Sequence, residues 1–525
     1  MDPVASPNWR AAAVATIAVL VYLPAFRGGF VWDDLQYIQA NPLLRDFRGL
    51  ARIWGDPEAS PQFYPLTFST YWMEYQFWGL SPLGYHVVNV LLHATNAFLL
   101  CRLLMGLQIP GAAMVAWLFA VHPIRVESVA WITERKDVLS GFFFFATLLV
   151  WRRYRVFQDG RSYLASIGLF TCGLLAKVAI CPLPVVLLLW EGWEAKRISA
   201  RALVKTIPFF VLSLFLGIFH ILLEGRNIGT AQASVDFSPV ERLILAGRSF
   251  WFYVFKTVWP YPLMPIHPRW EIDSSDFAQI LFPLSVVFLF AVLWIGKNKF
   301  GRGPFALLAF YLSMIAPVLG FASQAFYRYS FVAEHFQYLA GIGILALLVA
   351  AGIRVFAWIQ IPRIAVAVST GILIVGLSLM TWRYASLYES TETLFTHNLR
   401  HNPDSWGVHT ALGATLLAEG GRLPIAIEHL ETAARLNPNE AQARYNLGVA
   451  LAGAGRFEEA VASYREAVRL EPNFPPAYNN LGIALEELGR YEDAIGEYER
   501  ALELDPEFLP AADNRVKARL RMKFK

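Results

Sequence analysis

Two adjacent carboxylates, Asp33 and Asp34, sit in the stretch FVWDDLQYIQANP, directly after the apolar run AAAVATIAVLVYLPAF. No basic residue stands beside them, so an acid pair lies at the edge of a segment suited to lipid. A carboxylate held there unpaired can deprotonate a hydroxyl or stabilise an oxocarbenium-like carbon. Two together can hold a divalent cation on a phosphate, and both readings stay open. A second group follows in HPIRVESVAWITERKD, which supplies His122, Arg125, Glu127, Glu134, Arg135, Lys136 and Asp137. Read as one helix, this stretch puts Glu127, Glu134 and Asp137 near one face, at spacings of seven and three. Lys177 interrupts an apolar run at GLLAKVAICPLP, where a proline pair also breaks the pattern. An ionisable residue at such a break is a functional candidate. Arg328, Glu334 and His335 form a third group. Arg and Lys bind phosphate, and cations beside a departing phosphate lower its barrier. Acids and bases gathered at one membrane face therefore suit a lipid-phosphate substrate.

Each group also has a purely structural reading. An Asp before an apolar run is a helix-cap signal. Asp33 lies nearer the first apolar run and is better placed to cap, which would leave Asp34 facing a space shared with Glu127 and Arg135. His122 before Pro123 reads as a satisfied histidine at a helix end. The ERKD cluster reads as a salt-bridged loop, and Lys177 as a snorkelling side chain. Asn89, His93 and Asn96 in VVNVLLHATN recur at helical spacing and read as interhelical hydrogen-bond partners rather than ligands.

The elements that must position these groups follow from composition. Of the 525 residues, 56% are hydrophobic, 15% aromatic and only 16% charged. That balance describes a polytopic membrane protein, and a net charge of +4 is too small to argue for nucleic acid. Cys101, Cys172 and Cys181 fit neither a zinc site nor a disulfide framework. Arg10 precedes the first apolar run and no small-residue cleavage site precedes Gly28, so that run is expected to be a retained helix. Candidate spans are roughly 10–26, 86–105, 110–124, 138–152, 163–176, 179–191, 204–222, 277–296, 304–321, 337–356 and 362–382. The run at 241–262 is ambiguous: it carries Arg242, Arg248 and Lys256 and ends at WPYP. The basic loops WRRYRVFQDGR, EAKRISARALVK and GKNKFGRG are expected in the cytoplasm. With about eleven spans and a cytoplasmic N-terminus, all the acidic loops and the C-terminal region share the opposite side.

Near Arg383 the chain becomes charged and periodic. Leu-Gly pairs at Leu412, Leu447 and Leu481, alanines at Ala426, Ala460 and Ala494, and prolines at Pro438, Pro472 and Pro506 recur at about the 34-residue period of tetratricopeptide repeats. The expected fold is all-α: a polytopic helical membrane domain over 1–385, then an α-solenoid over 386–525. The solenoid has about three repeats and a capping helix from Pro510 to Lys525.

The blocks WDD…NP, YPLTF, GYHVVNVLLHATNA, AVHPIRVESVAWITERKDVLSGFFF, GLLAK…LP, FYVFKTVWP and VAEHFQYLAGIG, followed by such repeats, resemble a known family. It is that of the bacterial relatives of the transmembrane O-mannosyltransferases with lumenal tetratricopeptide repeats, in the GT-C glycosyltransferase superfamily. The resemblance runs through nearly the whole chain, and HPIRVESVAWITERKD is its most specific block. It implies a polyprenyl-phosphate sugar donor, an active site at the outer face and an acidic motif in the first outer loop, at Asp33 and Asp34. It maps second-loop residues onto Glu127, Arg135 and Asp137, and the GLLAK lysine onto Lys177. Two positions depart from the family pattern. His335 stands where relatives usually have arginine, ahead of Tyr338-Leu339-Ala340 rather than YLP. Phe63-Tyr64 precedes the proline where an arginine commonly stands.

The expected site has Asp34, Asp33 and Glu127 at the reaction. Arg135, Lys136, Lys177, His335 and Arg328 surround the donor phosphate, and His122, Arg125, Glu134 and Asp137 support them; a divalent cation is a possible cofactor. The expected protein is a bacterial inner-membrane glycosyltransferase that moves a sugar to a protein hydroxyl on the periplasmic side. Its repeats dock the acceptor or a partner, and membrane lipid but no nucleic acid is involved. The alternative is a non-catalytic membrane scaffold, which needs no cluster of ionisable residues in its membrane part.

Overall fold

A computed structural model describes residues 8–227, 237–321 and 325–523. Parts of two expected outer loops, at 228–236 and 322–324, lie outside the described residues. All regular elements among the described residues are helical. The chain divides into two compact units, Met1–Ser390 and Thr391–Lys525. The break thus follows Ser390 rather than residue 385. A short 3-10 helix, Ser386–Glu389, belongs to the first unit, where the Glu389 carbonyl accepts the Gly29 N–H at 3.0 Å.

Among the described residues of the first unit, five helices are long and apolar enough to cross a membrane: Pro82–Gly106, Ala200–Leu223, Phe277–Ile295, Gly341–Trp358 and Arg363–Glu389. A sixth arises if Ala112–Val121 and Pro123–Ala130, bent by 58°, count as one broken span. That is fewer than the eleven segments read from hydropathy. The expected spans at 163–176 and 179–191 are the helices Gly160–Ala176 and Leu183–Glu194, of 17 and 12 residues, short of the roughly 20 needed to cross. The segment at 138–152 lies within Arg135–Phe157, which carries charged residues at both ends. The ambiguous run is the helix Pro239–Val258. It is opened by a capping box in which Ser238 N–H donates to Glu241 at 2.8 Å and Glu241 N–H to Ser238 Oγ at 3.3 Å.

Polar side chains in an apolar medium need partners, and Pro82–Gly106 shows where they come from. Tyr338 OH donates to His93 Nδ1 at 2.9 Å and accepts from Asn96 Nδ2 at 3.0 Å. The other ring nitrogen of His93 donates to the Ala120 carbonyl at 3.2 Å. Asn96 also donates to the Val138 carbonyl at 2.8 Å, and Asn89 to that of Trp131 at 3.1 Å. One face of a single helix therefore gathers the second loop, the Arg135 helix and the segment around Tyr338.

The second unit is a stack of paired helices: Trp406–Glu419 with Leu423–Leu436, Ala441–Gly453 with Phe457–Leu470, and Pro475–Glu487 with Tyr491–Leu504. Leu509–Lys523 closes it, where the sequence places a cap. The Leu-Gly pairs have a packing reason. A Cβ at Gly448 would lie 2.6 Å from the Tyr464 ring, and one at Gly482 2.5 Å from the Tyr498 ring. Ala460, Tyr464, Leu481, Ala494, Tyr498, Ala501 and Ala511 share one core within this unit. Produced alone, Thr391–Lys525 is expected to give a helical circular-dichroism spectrum and a cooperative melt. Gly482→Val should cost about 1–3 kcal/mol through overpacking against Tyr498. A non-cooperative melt of the isolated unit would show that it needs the membrane unit to fold.

Candidate active site

The first loop turns at Trp32, whose φ of 46° is in the left-handed region that bulky residues rarely adopt. Its indole is held by stacking on Trp131, with centroids 5.4 Å apart and planes 8° apart, and by the edge of Tyr329 at 5.9 Å. Beyond this turn the two acids part. Asp34 is fully buried and accepts the Val31 N–H at 2.9 Å on one oxygen and the Thr133 N–H at 2.8 Å on the other. Burial pushes its carboxyl up to about 8, against the pull of those two amides. Asp33 lines a cavity instead, and no hydrogen-bond donor among the described residues reaches its carboxylate. Burial raises Asp33 to about 6, opposed chiefly by Lys136. The expected assignment is therefore reversed. Asp34 does not face Glu127 and Arg135, because it is spent on the backbone of both loops, and Asp33 is the acid presented.

The second loop is not one helix. A 3-10 turn at Pro123–Arg125 leads into Val126–Ala130, the chain extends at Trp131, and Ile132–Glu134 makes another 3-10 turn before Arg135–Phe157 begins. The Ile132 carbonyl beyond the break is engaged by Tyr71 OH at 2.9 Å. Glu127 consequently shares no helix face with Glu134 and Asp137. Glu127 lies behind His335, accepting its backbone N–H at 2.8 Å and standing 3.1 Å from ring Nδ1. It is not among the cavity-lining residues, so it is not placed at the reaction.

Lys177, at the extended end of Gly160–Ala176, reaches Asp137 at 2.6 Å and Glu134 at 3.2 Å. Lys136 reaches Glu134 at 3.0 Å and Gln62 at 3.3 Å. Asp137 also accepts from Ser128 Oγ at 3.1 Å. Gln62, Glu134, Lys136, Asp137 and Lys177, with Asp33, Arg328 and His335, line a cavity of about 970 Å³. Much of its remaining wall is aromatic and apolar, from Trp32, Tyr37, Tyr64 and Trp131 round to Ile221, Met314 and Val318, with Gln36, Glu58, Ser60 and His220 among them. Tyr64, at the position where relatives differ, lines this wall and pairs its hydroxyl with His220 Nε2 at 3.0 Å.

Three expected cations lie elsewhere. Arg135 is fully buried; its guanidinium is held by Glu74, by the Asn89 side chain and by the Tyr85 carbonyl at 2.8 Å. A fork already matched to a carboxylate is a structural pair, so Arg135 is no phosphate ligand here. Arg125 donates to the Gln337 carbonyl at 2.6 Å and lies over the Phe119 and Tyr338 rings. His122 accepts from Ile124 N–H at 3.3 Å and donates to the Thr257 carbonyl at 2.9 Å, the satisfied helix-end histidine of the structural reading. Two partners escaped the sequence reading of the site. Glu74 is the lone carboxylate in the aromatic helix Pro65–Trp78, a signal that could have marked it. Gln62 carries no local signal, since it meets Lys136 74 positions away. Among the described residues, no three His, Cys, Asp or Glu side chains are grouped to hold a metal ion.

The family model described as Tetratricopeptide repeat matches residues 412–475 and 452–507. Among curated proteins, the chain is similar to Protein O-mannosyl-transferase F38B6.6 of Caenorhabditis elegans, at 27% identity over 81% of this chain and 62% of that protein. It is similar to Protein O-mannosyl-transferase TMTC1 of Homo sapiens at 26% identity, over 84% of this chain and 57% of that protein. It therefore spans less than two thirds of the length of these relatives. A crystal structure of MamA is 26% identical and covers 24% of this chain and 74% of its own, with a TM-score of 0.24. The resemblance read from the motifs stands: the relatives are protein O-mannosyl-transferases, and the C-terminal region is built of tetratricopeptide repeats.

Because Asp34 satisfies two buried amides, Asp34→Asn should destabilise the protein by about 1–3 kcal/mol, visible as a lower melting temperature in detergent. Asp33→Asn, which breaks no hydrogen bond, should melt with the wild type. Equal melting of both variants would remove the structural assignment of Asp34.

Proposed function

We propose that this chain is a GT-C-type membrane glycosyltransferase that moves a sugar, mannose by analogy with its relatives' names, from a polyprenyl phosphate to a protein hydroxyl. The observation that supports this most is the cavity itself. It presents Asp33, whose carboxylate meets no hydrogen-bond donor among the described residues, together with Lys136, Lys177, Arg328 and His335. In the proposed reaction the acceptor oxygen attacks the anomeric carbon as the bond from that carbon to the phosphate oxygen breaks. Asp33 takes the hydroxyl proton. The bonding electrons leave on the phosphate, whose charge the lysines and His335 offset. The aromatic and apolar wall suits the isoprenoid chain. Asp34, Glu127 and Arg135 hold these groups in place without touching substrate. A scaffold would have no use for an unpaired carboxylate facing a row of cations.

The repeats are assigned to docking the acceptor protein, since concave solenoid surfaces suit extended peptides. The basic loops at 152–161, 194–205 and 297–302 assign the cytoplasmic side. The reaction and the repeats are then placed on the periplasmic side of a bacterial inner membrane. Alkaline phosphatase fused after Lys525 should be active, and a cytoplasmic reporter there should be silent; the opposite pattern would overturn the sidedness.

With purified protein and a polyprenyl-phosphate sugar donor, Asp33→Asn should lose about two to four orders of magnitude in transfer rate. Wild-type activity should rise with pH through about 6, as the Asp33 carboxyl loses its proton. Full turnover in Asp33→Asn would remove Asp33 from the reaction.

A further inference from the structure

His335 occupies an unusual position among the cavity-lining residues. Its backbone N–H donates to one oxygen of Glu127 at 2.8 Å, and its ring Nδ1 stands 3.1 Å from the other. Ring Nε2 lies 3.9 Å from Glu134. The ring is fixed edgewise against Trp131, Phe326 and Phe336, with centroids at 6.4, 6.1 and 4.5 Å. The imidazole thus stands between two carboxylates, against aromatic rings, at the cavity wall. We propose that His335 is a proton-switched phosphate grip: protonated, it binds the phosphate of the lipid donor, and neutral, it releases it, so that donor affinity is set by pH. This rests on the glycosyl-phosphate reading above and names the residue that controls it.

The surrounding charges set the direction of the switch. Glu127 and Glu134 face the ring from the second loop, with Asp137 and Lys136 beyond them; Lys177 faces it from the GLLAK turn and Asp33 from the first loop. Glu334 is its neighbour on the same short helix, and Arg328 lines the same cavity. Burial alone would lower the ring's titration, but the carboxylates of Glu134 and Glu127 outweigh it and raise it above the ordinary histidine value. The ring thus keeps its proton to higher pH than an ordinary histidine and loses it as the pH rises further. Among the described residues Glu127 has no other cation within ion-pair distance. Loss of the ring proton therefore leaves the buried Glu127 carboxylate uncompensated behind the ring, and removes the attraction for an anion in the cavity. Arginine at this position would not titrate.

The test is direct binding of a short-chain prenyl methyl phosphodiester, whose single negative charge does not titrate in this range. It is measured by calorimetry on the full-length protein in detergent from about pH 6 to about pH 9. Wild-type affinity should fall by about tenfold per pH unit beyond the ring's titration. His335→Arg should keep its affinity at alkaline pH, and His335→Gln should bind weakly at every pH. Glu127→Gln should move the fall to lower pH, which keeps the proposal testable if either His335 variant fails to fold. Asp33→Asn controls for the titration of the first-loop acid in the cavity. A flat wild-type profile, or a slope that persists in His335→Gln, would overturn the proposal. So would a slope that disappears in Asp33→Asn. Dimethyl phosphate should bind more weakly with the same slope, and equal affinity would exclude the lipid as the source of the phosphate. Binding needs no turnover, so pH-gated binding without sugar transfer would sink the transferase reading and keep this one. Transfer with pH-independent binding would do the reverse.

Discussion

The site depends on one buried carboxylate that does no chemistry. Asp34 ties the Val31 amide of the first loop to the Thr133 amide of the second. Those two loops carry the cavity's acid and two of its basic side chains' partners, and the Asp34 clamp sets their mutual distance. With Asp34 turned inward, the left-handed Trp32 leaves Asp33 only the cavity to face. The stack of Trp32 on Trp131 reinforces the join from the other side. Asp33 is half-buried at the cavity wall, whereas Asp34 is fully buried.

Behind this clamp the charges are arranged in layers. The inner layer pairs Arg135 with Glu74, Arg125 with the Gln337 carbonyl, His122 with Thr257, and Glu334 with Met264 N–H, His267 and Tyr384. The cavity layer is only partly closed, since Lys136 and Lys177 share the carboxylates of Glu134 and Asp137 while Asp33 has no donor among the described residues. Removing one partner of a buried ion pair leaves an uncompensated charge, so the inner layer supplies rigidity. The cavity layer can exchange partners with an incoming anion.

The sequence made some of this legible and not the rest. The repeats could be read because their contacts are local and recur in register: each Leu-Gly pair meets a bulky side chain of its own helix pair, as Gly448 meets Tyr464. The polar face of Pro82–Gly106 was visible as helical spacing. Neighbouring residues in a loop were not separable. Asp33 and Asp34, or Arg135 and Lys136, differ in role because of one backbone angle and a partner such as Glu74, 61 positions away. Fewer helices than apolar runs reach the length for crossing, because an apolar run reports hydropathy and not unbroken helix. Prolines and helix breaks at Pro182, Pro184 and His122 cut those runs short.

The polar face of Pro82–Gly106 also bears on how the protein is made. His93 and Asn96 find Tyr338 only 245 and 242 residues further along the chain. At ordinary synthesis rates the ribosome needs roughly 10–50 s to reach it. For that interval the helix must remain in the insertion machinery or in lipid with its histidine and asparagine unmatched to Tyr338. Its early neighbours, the carbonyls of Ala120, Trp131 and Val138, emerge much sooner and can accept from those side chains meanwhile. Biogenesis of this membrane unit is therefore staged: a provisional helical hairpin forms first, and arrival of the Tyr338 segment locks it.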